Sequence, residues 1–255
     1  MEHRGLRIRL SRAALLWGGL TTPAVSSAFA QSGSGDGYLF RAPRANLSLR
    51  FGVARPDARS NVFSQVTSDL KLNRGSFAGV SAAVDLDVPL TQRLALQFGM
   101  GLSSRDVTSE YRNFVDNEDL PIEQTTSFRR APLTAGLKLY LLPPGRSLGR
   151  LAWVPRRFAP YLSGGGGVMY HSFRQTGDFV DFNNFDVFAS TVETEGWTAS
   201  AYGAAGVNYS LSTRLGLTTE ARYDRARAPM GRDFVGFDHI NLSGVSVTTG
   251  LHLRF

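Results

Sequence analysis

The chain has 255 residues, no cysteine, 27 glycines and 11% aromatic residues, with a mean hydropathy just below zero, and that length fits one large β domain or two smaller ones. No run of about 20 apolar residues occurs outside or inside its first segment, which excludes a helical membrane protein. Of the formal net charge of +7, the first 30 residues carry +3 (Arg4, Arg7, Arg9 and Arg12 against Glu2), and the basic residues, all Arg except Lys71 and Lys138, form no run beyond pairs such as Arg129-Arg130 and Arg156-Arg157, so a clustered nucleic-acid face is excluded.

Residues 1–30 hold a basic stretch ending at Arg12, an apolar core from Ala13 to Leu20, and Ala28-Phe29-Ala30 ahead of Gln31. This is the pattern of a secretory signal with an A-x-A cleavage site, and its core is too short to span a bilayer as a helix. The S-G-S-G-D-G stretch from Ser32 to Gly37 predicts a flexible leader over 31–44, with ordered structure over 45–255.

From there the period of the side chains is two, and eight alternating segments follow. Ala45 to Val53 opposes Leu47, Leu49, Phe51 and Val53 to Asn46, Ser48, Arg50 and Gly52. Phe77 to Val88 opposes Val80, Ala82, Val84, Leu86 and Val88 to Ser81, Asp85 and Asp87. Arg93 to Ser103 opposes Leu94, Leu96, Phe98, Met100 and Leu102 to Gln97, Gly99 and Gly101. The fourth, about Thr126 to Leu141, alternates after Pro132, whose missing donor predicts a bulge or fraying. The fifth, Phe158 to Phe173, contains four successive glycines, Gly164 to Gly167, which leave its phase open. A phosphate loop there would need a following Gly-Lys-Ser/Thr, which is absent, so the glycines are read as room for bulky neighbours inside a sheet. Thr194 to Tyr209 opposes Trp197, Ala199, Ala205, Val207 and Tyr209 to Thr198, Ser200, Tyr202 and Asn208. Arg214 to Asp224 opposes Leu215, Leu217, Ala221 and Tyr223 to Thr218, Glu220, Arg222 and Asp224. The eighth, Leu242 to Phe255, puts Val245, Val247, Thr249, Leu251, Leu253 and Phe255 on one face and Gly244, Ser246, Thr248, Gly250, His252 and Arg254 on the other.

Two near-identical stretches, P-L-T-Q-R-L-A-L at Pro89 to Leu96 and S-L-S-T-R-L-G-L at Ser210 to Leu217, predict equivalent tight turns. They alternate with long polar connections, Ala54 to Ser76, Ser104 to Thr125, Arg174 to Glu193 and Arg225 to Asp238. Short turns at one end and long loops at the other are the asymmetry of an outer-membrane barrel. The basic, Pro-rich connection 142–157 is long where a short turn is expected.

Alternation alone does not separate a membrane barrel from a soluble one. The polar face, however, is small and charge-balanced, with Arg50, Asp85, Lys138, Glu220 and Arg222 as a candidate lumen charge network. The apolar face carries aromatics near its ends, Tyr209 and Phe255 at the short-turn end and Phe51, Trp197 and Tyr223 at the long-loop end, as candidates for the membrane-interface girdles. Phe255 ending an alternating strand, A-P-L-x-x-G-L-K at Ala131 to Lys138, A-P-Y-L at Ala159 to Leu162 and A-R-Y at Ala221 to Tyr223 together resemble the small eight-stranded outer-membrane β-barrel superfamily of OmpA-like and OmpX-like proteins. The resemblance covers about residues 45–255. It implies an all-β, antiparallel, up-and-down transmembrane β-barrel in the outer membrane of a Gram-negative bacterium, with Phe255 as an assembly signal for the barrel insertion machinery.

A barrel of eight strands has an interior filled by side chains or able to hold one small ligand, so a wide porin is excluded. The leading expectation is a porin-like surface protein with a structural or interaction role, in contact with outer-membrane lipid and lipopolysaccharide, with at most a narrow lumen and with no named extracellular partner. The alternative is a carrier or narrow channel for small, apolar solutes, favoured by Phe179, Phe182, Phe185 and Phe188 in one loop. A lipid-modifying enzyme, for which His239 with Ser243 and His171-Ser172 are candidates, ranks last, because His239 and Ser243, four apart on a strand, stand ~13 Å from each other. No enzyme activity, cofactor, metal site or nucleic-acid partner is expected. Cleavage after Ala30 is predicted to place Gln31 first in the mature protein; N-terminal sequencing of membrane-purified protein checks it, and retention of Met1 would contradict export by this signal.

Overall fold

The computed structural model describes residues 37–255, apart from 116–117, 150, 181–186 and 235. Eight long strands carry the alternation: β1 (Asn46–Pro56), β2 (Gly79–Pro89), β3 (Leu94–Val115), β4 (Pro121–Tyr140), β5 (Phe158–Val180), β6 (Val187–Ser210), β7 (Leu215–Ala228) and β8 (Gly244–Arg254). Each pairs antiparallel with the next. β8 then pairs with β1 from Gly244 opposite Pro56 to Arg254 opposite Asn46, so the sheet closes into a barrel and leaves no open edge.

The two faces of this sheet are reversed relative to a water-soluble barrel. Arg50 is 1% exposed while its outward neighbour Phe51 is 58% exposed, and His252 is 1% exposed beside Leu251 at 48%. Leu47, Leu49, Val53, Val80, Phe98, Met100, Leu102, Leu133, Leu137, Leu139, Val245 and Val247 extend the outward apolar surface into a continuous belt. Such a belt is stable only where lipid replaces water.

Towards the long-loop end the polarity of both faces exchanges. On β4 the outward residues run Leu139, Leu137 and Leu133, then Arg129 and Glu123; the inward ones run Lys138 and Thr134, then Arg130, Phe128, Thr126, Gln124 and Ile122, a mixed face in which apolar groups appear. On β5 the inward face gains Met169 and Phe173, interleaved with His171 and Gln175, and Arg174 points out. The strands therefore leave the bilayer and continue into water, where the apolar side chains turn inward. This corrects two expected loops: most of Ser104 to Thr125 and of Arg174 to Glu193 forms extended β-hairpins, β3–β4 and β5–β6. The sequence reading stopped each strand where its apolar-outward phase reversed, although the backbone period did not change.

The inward apolar residues of this outer part are capped by the first loop, whose helix α1 (Asn61–Asp69) turns Val62, Phe63 and Val66 into the barrel mouth. Phe63 is fully buried and meets Phe77, Phe128 and Phe173 edge-on, with ring centroids 5.0, 5.3 and 5.6 Å away. Phe234, Ile240 and Leu242 complete the core from the last long loop.

At the other end the two similar turns share one geometry. Leu90 and Thr91 donate to the Leu94 carbonyl as Leu211 and Ser212 donate to that of Leu215, and the Thr91 and Ser212 hydroxyls accept from Leu94 and Leu215. The long connection 142–157 folds as a hairpin of Gly145–Leu148 with Ala152–Pro155. Leu39–Phe40 pairs with its second strand, so this described part of the expected flexible leader 31–44 is held in a sheet, because the hairpin offers it a free edge. Trp153 of the hairpin is buried against the short-turn mouth of the barrel, 5.8 Å from the Arg254 guanidinium. Pro132 interrupts the β3–β4 ladder opposite Gly101 without the expected bulge; the register shift lies higher, between Glu110 and Val115.

Candidate functional site

The inward face of the belt region makes a packed polar lumen, and its charged groups come from strands on different sides of the ring. Arg50 of β1 pairs with Asp85 of β2 at 2.6 Å and with Glu220 of β7 at 2.8 Å, and its Nε donates to Thr248 at 3.2 Å. Lys138 of β4 reaches Asp87 of β2 at 2.7 Å and lies 4.2 Å from the centre of the Tyr161 ring. The Tyr161 hydroxyl donates to Glu220 at 2.9 Å and joins the two pairs into one network. Arg222 turns to Asp224 at 2.9 Å and to Thr134, with its guanidinium 3.8 Å over the Tyr202 ring, whose hydroxyl donates to Gln97.

Of the five charged residues named from the sequence, Arg50, Asp85 and Glu220 thus meet directly. Lys138 joins them through Tyr161 and takes Asp87, which stood on the same polar face two residues from Asp85. Arg222 belongs to a neighbouring group with Asp224 and forms no ion pair with Glu220. Burying charge is tolerable only with partners in hydrogen-bonding range, and Arg50, Lys138 and Arg222 are matched here by Asp85, Asp87, Glu220 and Asp224. Arg130, above them, is held by the Leu242 carbonyl at 2.7 Å.

The glycines make room for the tyrosines. A Cβ on Gly206 would strike the Tyr161 ring and one on Gly136 the Tyr202 hydroxyl. In the Gly164 to Gly167 run the alternation resolves as Gly165 and Gly167 inward, against the backbone of β4, which a side chain could not approach so closely. The void bounded by Arg50, Asp85, Arg130, Glu220, Arg222 and Asp224 is about 40 Å³, space for little more than one or two waters.

The girdle candidates Phe51, Trp197, Tyr209, Tyr223 and Phe255 all face outward. Tyr209 accepts from Arg157 at the short-turn end at 2.7 Å, and Tyr223 donates to Asp57 at the long-loop end at 2.9 Å, so each marks where the belt meets polar groups. Trp197 lies beside Tyr170, and Phe51 sits lower in the belt, with Val53 between it and Arg55. The residues weighed for catalysis are dispersed: the Ser243 hydroxyl bonds the backbone of Ala226, His239 is exposed, and His171 points inward while Ser172 points out. In the aromatic loop Phe179 stacks on Phe188, whereas Phe182 and Phe185 lie outside the described residues.

A closed ring of eight antiparallel strands, an outward apolar belt and a packed polar lumen define a small transmembrane β-barrel, and this chain is one. No family model and no curated protein matches it. Among solved structures it is similar to the outer membrane protein OprG of Pseudomonas aeruginosa (15% identity, 85% of this chain and 98% of that one, TM-score 0.45). It is also similar to Neisserial surface protein A (12%, 84% and 99%, TM-score 0.44) and to a major outer membrane protein of Thermus thermophilus (12%, 83% and 99%, TM-score 0.42). Likenesses of that size carry no inference about activity; the class rests on the ring and the belt.

Replacing Glu220 by Ala leaves Arg50 with one carboxylate and the Tyr161 hydroxyl without its carboxylate acceptor, with only Thr218 at 3.5 Å in range. Urea unfolding of the refolded barrel is predicted to lose on the order of 3 kcal/mol for Glu220→Ala, with a smaller loss for Glu220→Gln, which keeps an acceptor for Tyr161. An unchanged midpoint in both would contradict a paired lumen.

Proposed function

We propose that this barrel is a structural and surface-interaction protein of the outer membrane whose lumen does not conduct. The observation that carries the reading is closure at three successive levels. The aromatic core under α1 fills the outer mouth, the ion-paired layer around Arg50 and Lys138 fills the belt region, and Trp153 with its hairpin lies across the short-turn mouth. What the chain offers its surroundings is then its outside: the β3–β4 and β5–β6 hairpins, which stand beyond the belt with charged outward faces that include Arg129, Arg174, Glu193 and Glu195. Such polar hairpins suit recognition of a partner better than passage of a solute.

The carrier alternative needs an apolar path from the outer end into the wall of the barrel. Phe63, Phe128 and Phe173 occupy the described outer interior themselves, which favours the closed reading. Single-channel recording of the refolded protein in planar bilayers tests it. No steady conductance step is expected from the wild type; a stable, reproducible open level would overturn the proposal in favour of the channel or carrier reading.

A further inference from the structure

Just above the belt, on the outside of the barrel, three guanidinium groups share one cleft. Arg55 points outward from β1 where it pairs with Val245 of β8; Arg59 follows the bend after β1; Arg74 begins the 3₁₀ turn Arg74–Phe77. The cleft they form with Pro56, Asp57 and Val245 has a volume of about 280 Å³. All three side chains are exposed, and none makes a hydrogen bond or ion pair with a described residue. The carboxylate in the lining, Asp57, instead accepts from the Tyr223 hydroxyl. Many other arginines here do find partners: Arg50, Arg112, Arg130, Arg222 and Arg254 are all bonded within the protein.

The backbone holds the three in place. Ala58, between Asp57 and Arg59, has a φ of 49°, a left-handed conformation unfavourable for alanine, and its methyl group is fully buried in the core under α1. That bend is what returns Arg59 to the outside. Arg74 is set by a capping box in which the Asn73 side chain accepts from the Gly75 and Ser76 amides at 2.8 and 3.1 Å. The cleft gathers three guanidinium groups against the single carboxylate of Asp57, an excess of positive charge that an anion placed between them offsets; the planar guanidinium fork matches phosphate oxygens in particular. Directly below the cleft the surface is apolar, with Val53, Val245 and Val247 exposed on the belt.

We propose that this cleft binds the phosphate headgroup of a lipid in the outer leaflet, with the acyl chains lying along Val53, Val245 and Val247. The arrangement puts a cationic site and an apolar groove in the order that such a lipid presents them. It rests on the long-loop end facing outward and not on closure of the lumen, so a conducting wild type would overturn the proposed function and leave this assignment standing.

Native mass spectrometry of the refolded barrel, with bisphosphorylated lipid A, chemically dephosphorylated lipid A or inorganic phosphate added, tests it. Wild type is expected to retain the phosphorylated lipid about tenfold better than the dephosphorylated one. Arg55→Gln/Arg59→Gln/Arg74→Gln abolishes that preference, while Arg146→Gln/Arg156→Gln at the short-turn end keeps it. Should the triple variant not refold, Arg59→Gln alone is expected to weaken the preference measurably. Equal retention of the two lipids, a preference unchanged in the cleft variants, or equally effective competition by inorganic phosphate, which would assign a free anion rather than a lipid, overturns the proposal.

Discussion

The constraint on which the structure depends is that the sheet spans lipid while its long strands, β3 to β6, continue from lipid into water without ending. Within the bilayer a backbone polar group without a partner costs several kcal/mol, so the sheet must close. The outward face must be apolar there, and above the bilayer it must be polar. Because the strand period is two, that demand appears as an exchange of the two faces along a single strand, from Leu133 out and Thr134 in to Arg129 out and Phe128 in. The exchange places the membrane boundary on the chain, and it creates two interiors of opposite character, one ion-paired and one aromatic.

Each interior solves its own packing problem. In the belt region the inward positions carry charge, so stability demands that charges be matched across the ring, and the tyrosines that fill the remaining space need glycines opposite them. In the outer region an inward aromatic cluster around Phe128 and Phe173 stands among buried polar groups such as Gln124 and Gln175, and a separate element seals it; α1 does this with Val62, Phe63 and Val66. Sealing by a loop also dictates the bend at Ala58, which is how the core and the arginine cleft on the outside come to share one stretch of chain.

Much of the fold was legible because alternation encodes which way each residue points. Leu47 to Val53 and Val245 to Leu253 are outward as their pattern requires, and the matching turn stretches adopt matching turns. The strand ends were misread where the phase reversed, since a polar outward face looks like a loop to a reading keyed on apolar-outward alternation. Gly164 to Gly167 carried no phase at all, having no side chains, and took it from pairing with β4. Membership of the charged groups in one lumen was legible, but their partners were not. Arg50 and Glu220 sit on strands separated by β8, and Lys138 and Asp87 on strands separated by β3, so who meets whom depends on the diameter and stagger of the closed ring. The hairpin at 142–157 and its pairing with Leu39–Phe40 had no alternation long enough to announce them.

The central claim, that apolar side chains face lipid and polar ones face a packed lumen, is tested most directly by single cysteines along β8, which is straightforward in a chain with no native cysteine. Residues 245, 247, 248, 251 and 252 would each be replaced, labelled with a nitroxide and reconstituted in bilayers, and their collisions with oxygen dissolved in the lipid measured. The account predicts strong oxygen broadening at 245, 247 and 251 and weak broadening, with slow spin motion, at 248 and 252. The opposite pattern, or no alternation between neighbours, would contradict it.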